Sequence, residues 1–501
     1  MPLDTQPPSP AMNRSNSQAL ETWQAMGHRG RCRIVASARH PLAAACDELV
    51  SLCRSPTRSD PIETIASELI PLCAALKFIG RRGPSVLRSE RVGAIGRPIW
   101  LWGVRSEIQR VARGDVLVLA AWNYPLLLAG VQIAQALAAG NRVYFKPAPG
   151  CESVGQRLVE MFWQAGVPPA ILQPIPSAAQ SAIDLIDRGV DLVVLTGSSV
   201  TGRAVLRQCS ETLTPTILEL SGCDAVIIGA DADLQLAAKA IRFGLMFNGG
   251  ATCIGPRRIL VAKDVKSRLV DLLRSAFENV PPVSIHDSAI DSVRETLEEM
   301  QRCGATDLLS PSSSVGPFDA SSFYPILFDQ VSADSPIAHR DLFAPIASLI
   351  DYDTDSEAIA IVNRCRYRLA ASVFGSPGWA GSIANRLQVG TVVINDIVFP
   401  TADPRLPFGG RGESGFGVTR GAQGLLEMTL PRVIASHRGK VHVHLAARTE
   451  NDFLALASSL TLIHGRFGQK WAALRRLCSG VKWPSADSCP ADRSQRNEVE
   501  K

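Results

Sequence analysis

The sequence carries little net charge. Its 52 lysines and arginines against 47 aspartates and glutamates leave +5 over 501 residues. That field is too weak to point to nucleic acid, and no recognition motif for it occurs. No two of the twelve cysteines stand as Cys-x-x-Cys. With no signal peptide, this leads us to expect free thiols in a reducing cytoplasm. The eight histidines contain no His-Glu-x-x-His, and His442-Val443-His444 reads as alternate residues of a strand, so no metal is expected. A membrane-spanning helix needs about 20 uninterrupted apolar residues. The most apolar region, 116–139, is broken by Trp122-Asn123-Tyr124-Pro125 and carries Gln132 and Gln135. It reads as a strand, a turn and a buried helix, and no membrane partner is expected. No internal repeat is present.

What is present describes a globular enzyme-sized chain. A hydrophobic fraction of 46% and a charged fraction of 20% suit a soluble protein, and the length suits two or three domains. Residues 1–18 read as a disordered leader, and 19–79 as several helices broken at Pro41, Pro56 and Pro61. Two alternating runs, 98–102 and 107–111, read as an antiparallel hairpin within about 95–113. From Val116 onward, short apolar strands alternate with helices, which predicts a parallel, doubly wound sheet. A second α/β section covers 221–404. The glycine-rich loop 406–417 follows, then a basic amphipathic helical tail over 452–478, whose charges read as a solvated face, and a polar, disordered end over 484–501.

The turn Phe247-Asn248-Gly249-Gly250-Ala251-Thr252-Cys253 joins a helix to a strand. Glycines there let the backbone come close to a ligand. A cysteine in such a place is a candidate nucleophile, because backbone donors and partial exposure favour the thiolate. Glu219 ends an apolar strand, where a carboxylate can be tuned as a general base. Asn123 follows another strand, and its amide can donate to an oxyanion, or form the turn before Pro125. Lys146 ends a third strand and can hold ribose or phosphate. Gly197-Ser198-x-x-x-Gly202 lies between strand and helix, where unpaired N–H groups favour a pyrophosphate.

Together, Trp122-Asn123-Tyr124-Pro125, Phe145-Lys146-Pro147, Thr196-Gly197-Ser198 with Gly202, Leu218-Glu219-Leu220, Asn248-x-Gly250-x-x-Cys253, Phe343-x-Pro345 and Pro407-Phe408-Gly409-Gly410 resemble the aldehyde dehydrogenase superfamily over about residues 20–440. The loop Gly412-Glu413-Ser414-Gly415 and the helical tail look closest to its dimeric, broad-substrate branch, which includes fatty aldehyde dehydrogenases. The resemblance implies an NAD(P)-binding domain from 19–220 with 405–435, a hairpin used in oligomerisation, a catalytic domain over 221–404 and a C-terminal tail over 436–483. It implies oxidation of an aldehyde to the acid, with Cys253 as nucleophile, Asn123 and the Cys253 N–H holding the oxyanion, and Glu219 activating water. NAD or NADP would lie against Trp122, Lys146, Gly197, Ser198, Thr201, Leu220, Asp341 and Phe343. A homodimer or homotetramer is implied. The chain departs from the pattern: Ala251 stands for glutamine, Ser221 for glycine, Cys223 for lysine, Asp341 for glutamate, and Pro149 where many members carry an acid. Two alternatives remain, an acylating semialdehyde dehydrogenase and a non-catalytic relative on the same fold. Acylating relatives commonly lack the glutamate present here as Glu219.

Overall fold

The computed structural model describes residues 10–98, 101, 103–310, 318–438, 442–445 and 450–480. The chain falls into two compact units. One runs to Ser89 and resumes over Gln109–Arg432; the other takes Glu90–Ile108 and the chain from Val433 onward.

In the first unit, β1 (Asp115–Leu119), β2 (Arg142–Lys146), β3 (Leu172–Pro174), β4 (Leu192–Gly197) and β5 (Thr216–Leu220) form a parallel sheet in the order β3-β2-β1-β4-β5. Val116, Leu117 and Val118 are fully buried, as a strand covered on both faces requires. The helix α1 (Leu127–Ala139) is buried along its whole length and stops at Gly140, whose φ of 101° only glycine adopts freely. Its two glutamines are bonded inside the protein: Gln132 Nε2 donates to Thr196 Oγ1 at 2.7 Å, and Gln135 Nε2 to the Gly421 carbonyl at 3.3 Å. Among the described residues, no helix is long and apolar enough to cross a membrane.

The chain winds from β1 through β2 to β3 on one side, then returns to β4 and β5 on the other. The winding therefore reverses between β1 and β4, and open parallel sheets bind ligands at the carboxyl ends of strands beside such a reversal. Trp122 and Asn123 follow β1, Lys146 ends β2, Gly197 and Ser198 lead from β4 into the helix α2 (Ser199–Thr212), and Glu219 and Leu220 end β5.

A second sheet carries β6 (Asp224–Ile228), β7 (Pro256–Ala262), β8 (Thr306–Asp307), β9 (Ile326–Asp329), β10 (Ile346–Tyr352), β11 (Ala370–Phe374) and β12 (Thr391–Ile394), in the order β8-β9-β10-β7-β6-β11-β12. The helix α3 (Leu234–Met246) leads to the cysteine turn, which enters β7 at its amino end; Asp341 precedes the neighbouring β10. A last strand, β13 (Gly415–Phe416), returns to the first sheet and pairs antiparallel with β5, Gly415 opposite Glu219.

Several sequence expectations are corrected. The helix Pro10–Ala25 begins inside the stretch read as a disordered leader. Trp23 explains this: it is buried, and its Nε1 donates to the Leu137 carbonyl at 3.1 Å. In the second unit, the first strand of the hairpin is Glu90–Val92, not 98–102, with Glu90 opposite Ile108 and Val92 opposite Ser106. Gly96 (φ 77°) and Gly103 (φ 89°) are left-handed, and Leu101 N donates to the Pro98 carbonyl. Ile99, Trp100 and Trp102 lie outside the described residues. Val443–Leu445 is a 3-10 turn and not a strand. The basic tail is two helices, α4 (Glu450–His464) and α5 (Phe467–Gly480). The polar end over 484–501 lies outside the described residues.

Candidate active site

The cysteine turn is built by close backbone approaches. Asn248 (φ 54°, ψ 40°) and Gly249 (φ 60°, ψ 24°) are left-handed in succession and reverse the chain. A Cβ on Gly250 would stand 2.5 Å from the Ala344 and Pro345 backbone, and one on Gly222 would stand 2.5 Å from the Cys253 carbonyl. The glycine turn thus packs directly on the Phe343-x-Pro345 segment and on the Ser221-Gly222 segment. Three separated motifs become one wall.

Asn123 meets the same turn. It is buried, and its Nδ2 donates to the Ala251 carbonyl at 3.0 Å. The amide has a second N–H to offer. Among the described residues, the backbone N–H of Cys253 donates to no carbonyl. Two donors are therefore free near the cysteine. Tyr124 and Thr252 clamp the turn through a 2.7 Å hydroxyl pair.

Glu219 is 4% exposed, and Thr419 Oγ1 donates to its Oε2 at 3.0 Å. Its Oε1 is buried without a partner among the described residues. Burial raises its pKa, against the Arg420 charge and the Thr419 and Gln132 side chains. Burial also pushes the Cys253 thiol far up, and the nearby Glu219 carboxylate adds to it. Burial thus favours the protonated form of both groups, the thiol of Cys253 and the carboxyl of Glu219.

Asp341 has a pKa raised to about 6 by burial, with the Ser221 hydroxyl and the Arg257 charge opposing. Its Oδ1 is a further buried oxygen with no partner among the described residues. Ser221 and Asp341 are both departures from the family pattern, and they face each other: a hydroxymethyl added on one side meets a methylene removed on the other. Cys223, the third departure, packs in a buried cluster with Cys365 and Tyr367.

The other proposed cofactor residues vary in how free they are. Lys146 is half-buried, and its Nζ donates to the Pro147 carbonyl at 3.3 Å. Burial lowers its pKa, and Glu152 opposes that. Ser198 caps α2, accepting from Thr201 N at 3.1 Å, so Thr201 is engaged locally. A Cβ on Gly202 would stand 2.8 Å from Leu220 Cδ1, so this glycine lets α2 lie against β5. Trp122 stacks on His286 at 3.7 Å between centroids, and Phe343 packs on it at 5.8 Å. No group of metal-ligating side chains occurs among the described residues.

Sequence reasoning missed the support beneath the turn. Arg58 is buried and pairs with Glu68, which is itself fully buried. Arg58 also donates to the Asn123 carbonyl, and its Nε donates to Asn248 Oδ1 at 3.0 Å. Glu68 accepts from Leu126 N at 2.7 Å and Leu127 N at 2.8 Å, at the start of α1. Arg257 braces the other side, donating to the Ala344 carbonyl at 2.9 Å. No local pattern marks Arg58, which lies in a polar loop; only the polarity of Glu68 within an apolar helical stretch hints at burial with a partner.

A cavity of about 920 Å³ lies beside the turn, walled by Ile62, Phe243, Met246, Phe247 and Phe399, with Glu63 on its side toward Asn248.

Comparison with known proteins gives one answer. The model of the Aldehyde dehydrogenase family matches residues 9–434. The chain is 29% identical to 4,4'-diapolycopene aldehyde oxidase of Methylomonas over 84% of this chain and 80% of that protein. It is 32% identical to benzaldehyde dehydrogenase [NAD(+)] of Pseudomonas putida over 64% of this chain and 67% of that one. Among solved structures, Mycobacterium tuberculosis aldehyde dehydrogenase complexed with NAD+ superposes with a TM-score of 0.76 at 27% identity, covering 86% of this chain and 91% of that one.

Proposed function

Because the chain belongs to the aldehyde dehydrogenase family, oxidoreductases that turn aldehydes into carboxylic acids, we propose that it does so through Cys253, Asn123 and Glu219, with NAD as cofactor and an apolar aldehyde as substrate. The observation that carries the assignment is the meeting of the Asn123 amide with the cysteine turn, close to a buried carboxylate that has an unpartnered oxygen.

Cys253 loses its proton to solvent, and the thiolate adds to the aldehyde carbon. The carbonyl π pair moves to oxygen, where the Asn123 amide and the Cys253 N–H receive it; donors placed for a developing oxyanion supply a large part of such catalysis. A nicotinamide nucleotide held at Asp341, Lys146, Gly197 and Ser198 would supply the acceptor for the hydride of the aldehyde carbon. Cys253 is left as a thioester. Glu219 then takes a proton from water, whose oxygen adds to the thioester carbon, and the acid leaves with the C–S bond broken. Covalent catalysis of this kind divides one hard step into two easier ones.

The residues fit a nicotinamide nucleotide. The buried, unpartnered Asp341 Oδ1 suits a ribose hydroxyl donor. Lys146, Gly197, Ser198, Trp122 and Phe343 stand at or beside the strand ends where an open sheet takes such a group. NAD is favoured over NADP because the relatives include benzaldehyde dehydrogenase [NAD(+)] and an aldehyde dehydrogenase solved in complex with NAD+. The relatives named for carotenoid and aromatic aldehydes support an apolar aldehyde. Exposed Leu430, Val433 and Ile434 on the strand Thr429–His437 support a homodimer or homotetramer, and the free cysteines among the described residues support a cytoplasmic location.

An activity screen tests this reading. Long aliphatic and aromatic aldehydes with NAD+ should turn over fastest, and Cys253→Ala should abolish oxidation while leaving cofactor binding intact. Turnover in that variant refutes the nucleophile, and equal use of NADP+ refutes the cofactor choice.

A further inference from the structure

We propose that Glu63 is a positioning residue for the catalytic turn: from the wall of the cavity beside the turn, its carboxylate holds the backbone N–H of Asn248 and thereby sets where Cys253 and the Asn123 amide stand. The proposal rests on the reading of Cys253 as nucleophile.

The argument starts from the backbone. Asn248 opens the left-handed pair that reverses the chain before Cys253. A left-handed conformation is uncommon for a residue other than glycine, although asparagine adopts it more readily than most, and here the surroundings hold it. The Asn248 N–H enters the pair, and its acceptor is Glu63 Oε1. The same asparagine is the hub of the site. Its Nδ2 donates to the Asn123 carbonyl at 3.0 Å and to the Ala251 carbonyl at 3.2 Å, and its own carbonyl accepts from Ala251 N at 2.9 Å. The Asn123 amide shares the Ala251 carbonyl. A shift of Asn248 therefore moves both an oxyanion donor and the backbone two residues before the nucleophile.

Glu63 is suited to this by its charge and its place. Burial raises its pKa to about 6, against the Asn248 N–H and the Arg58 charge, while Asp60 pushes the same way as burial. It is ionised at neutral pH, and hydrogen bonds to an ionised acceptor are about twice as strong as neutral ones. Lys239, Arg242 and Glu278 also line the cavity. The carboxylate stands with the cavity on one side and the turn on the other, so a substrate tail packed against Phe247 and Ile62 lies beside the group that fixes the nucleophile.

The test uses the full-length enzyme and two substitutions. Glu63→Gln keeps an oxygen acceptor of the same reach; Glu63→Leu keeps the volume and removes the acceptor. Displacements of reacting groups cost on the order of 100-fold per Å. Glu63→Leu should therefore lower kcat about 10- to 100-fold, with the KM for cofactor unchanged, and Glu63→Gln should recover kcat to within about 3-fold of wild type at pH 7.5. Wild-type kcat in Glu63→Leu overturns the proposal. So does a loss confined to the KM for aldehyde, which would make Glu63 a wall of the substrate site only. So does equal damage in both variants, which would make its charge, and not its grip on the N–H, the active feature. Should Glu63→Leu fail to fold, Glu63→Asp, whose shorter reach pulls on the same N–H, must lower kcat by at least about 3-fold, and wild-type kcat there overturns the proposal. Cys253→Ala, run beside them, separates the two readings: activity there removes the catalytic turn itself, whereas an inactive Cys253→Ala with a fully active Glu63→Leu removes only the role of Glu63.

Discussion

Replacing Arg58 by methionine should damage stability and catalysis together. Arg58 is 6% exposed and Glu68 is not exposed at all. Removing one partner of a buried ion pair costs about 3–5 kcal/mol, because the other charge stays in a poor solvent. Asn248 Oδ1 also loses its donor, and an unpaired buried acceptor costs about 1–3 kcal/mol. Glu68 keeps two backbone N–H donors at the start of α1, and the helix dipole there offsets about 1 kcal/mol. The terms leave a net loss of about 3–7 kcal/mol for Arg58→Met. Denaturant unfolding, with the folded fraction followed by tryptophan fluorescence, measures it. The double variant Arg58→Met, Glu68→Leu should lose less than the sum of the single ones, since no unpaired charge remains. The kcat of the folded fraction should fall at least about 10-fold, because the Asn123 carbonyl loses its Arg58 donor and Asn248 loses its anchor. A loss under about 1 kcal/mol, or strict additivity in the double variant, refutes the idea that this pair supports the turn.

Three further outcomes follow from the same geometry. Glu219→Gln should give a burst of reduced cofactor followed by slow steady turnover, since hydride leaves before the thioester is hydrolysed; equal loss of burst and steady rate would assign Glu219 to thiol deprotonation alone. Asp341→Glu should raise turnover, and a substrate deuterated at the aldehyde carbon should show an isotope effect in the wild type; no isotope effect, with Asp341→Glu slower, would show a site built around the Ser221–Asp341 pair. Asp341→Asn should be more stable than wild type at pH 7–8, with the gap closing toward pH 4. The folded pKa of about 6 lies above the ordinary aspartate value, so the fold binds that proton more tightly. Its contribution is present below about pH 4 and lost as pH rises through about 6. Thermal unfolding of the cofactor-free protein from pH 4.5 to 8 checks the sign.

The sequence by itself determined the parallel sheets and the chemistry at their ends. Continuous apolar runs such as 116–119 and 192–195 can only be strands covered on both faces, and the polar residues that interrupt them, Asn123, Lys146, Ser198 and Glu219, must then stand at strand ends. The glycines around Cys253 marked a backbone that another segment approaches, although not which one. Tertiary structure decided the partners. That Gly250 meets Ala344 and Pro345, that Thr419 holds Glu219 from 200 residues away, and that Arg58 reaches Asn123 and Asn248 are facts of packing between segments with no shared local pattern. The pairing of Glu90–Val92 with the strand Val104–Ala112 is a fact of the same kind, since no alternation marks so short and exposed a strand. Periodicity reports which face of an element is buried. It carries no record of what is buried against it, and the groups that position a nucleophile are held across just those interfaces.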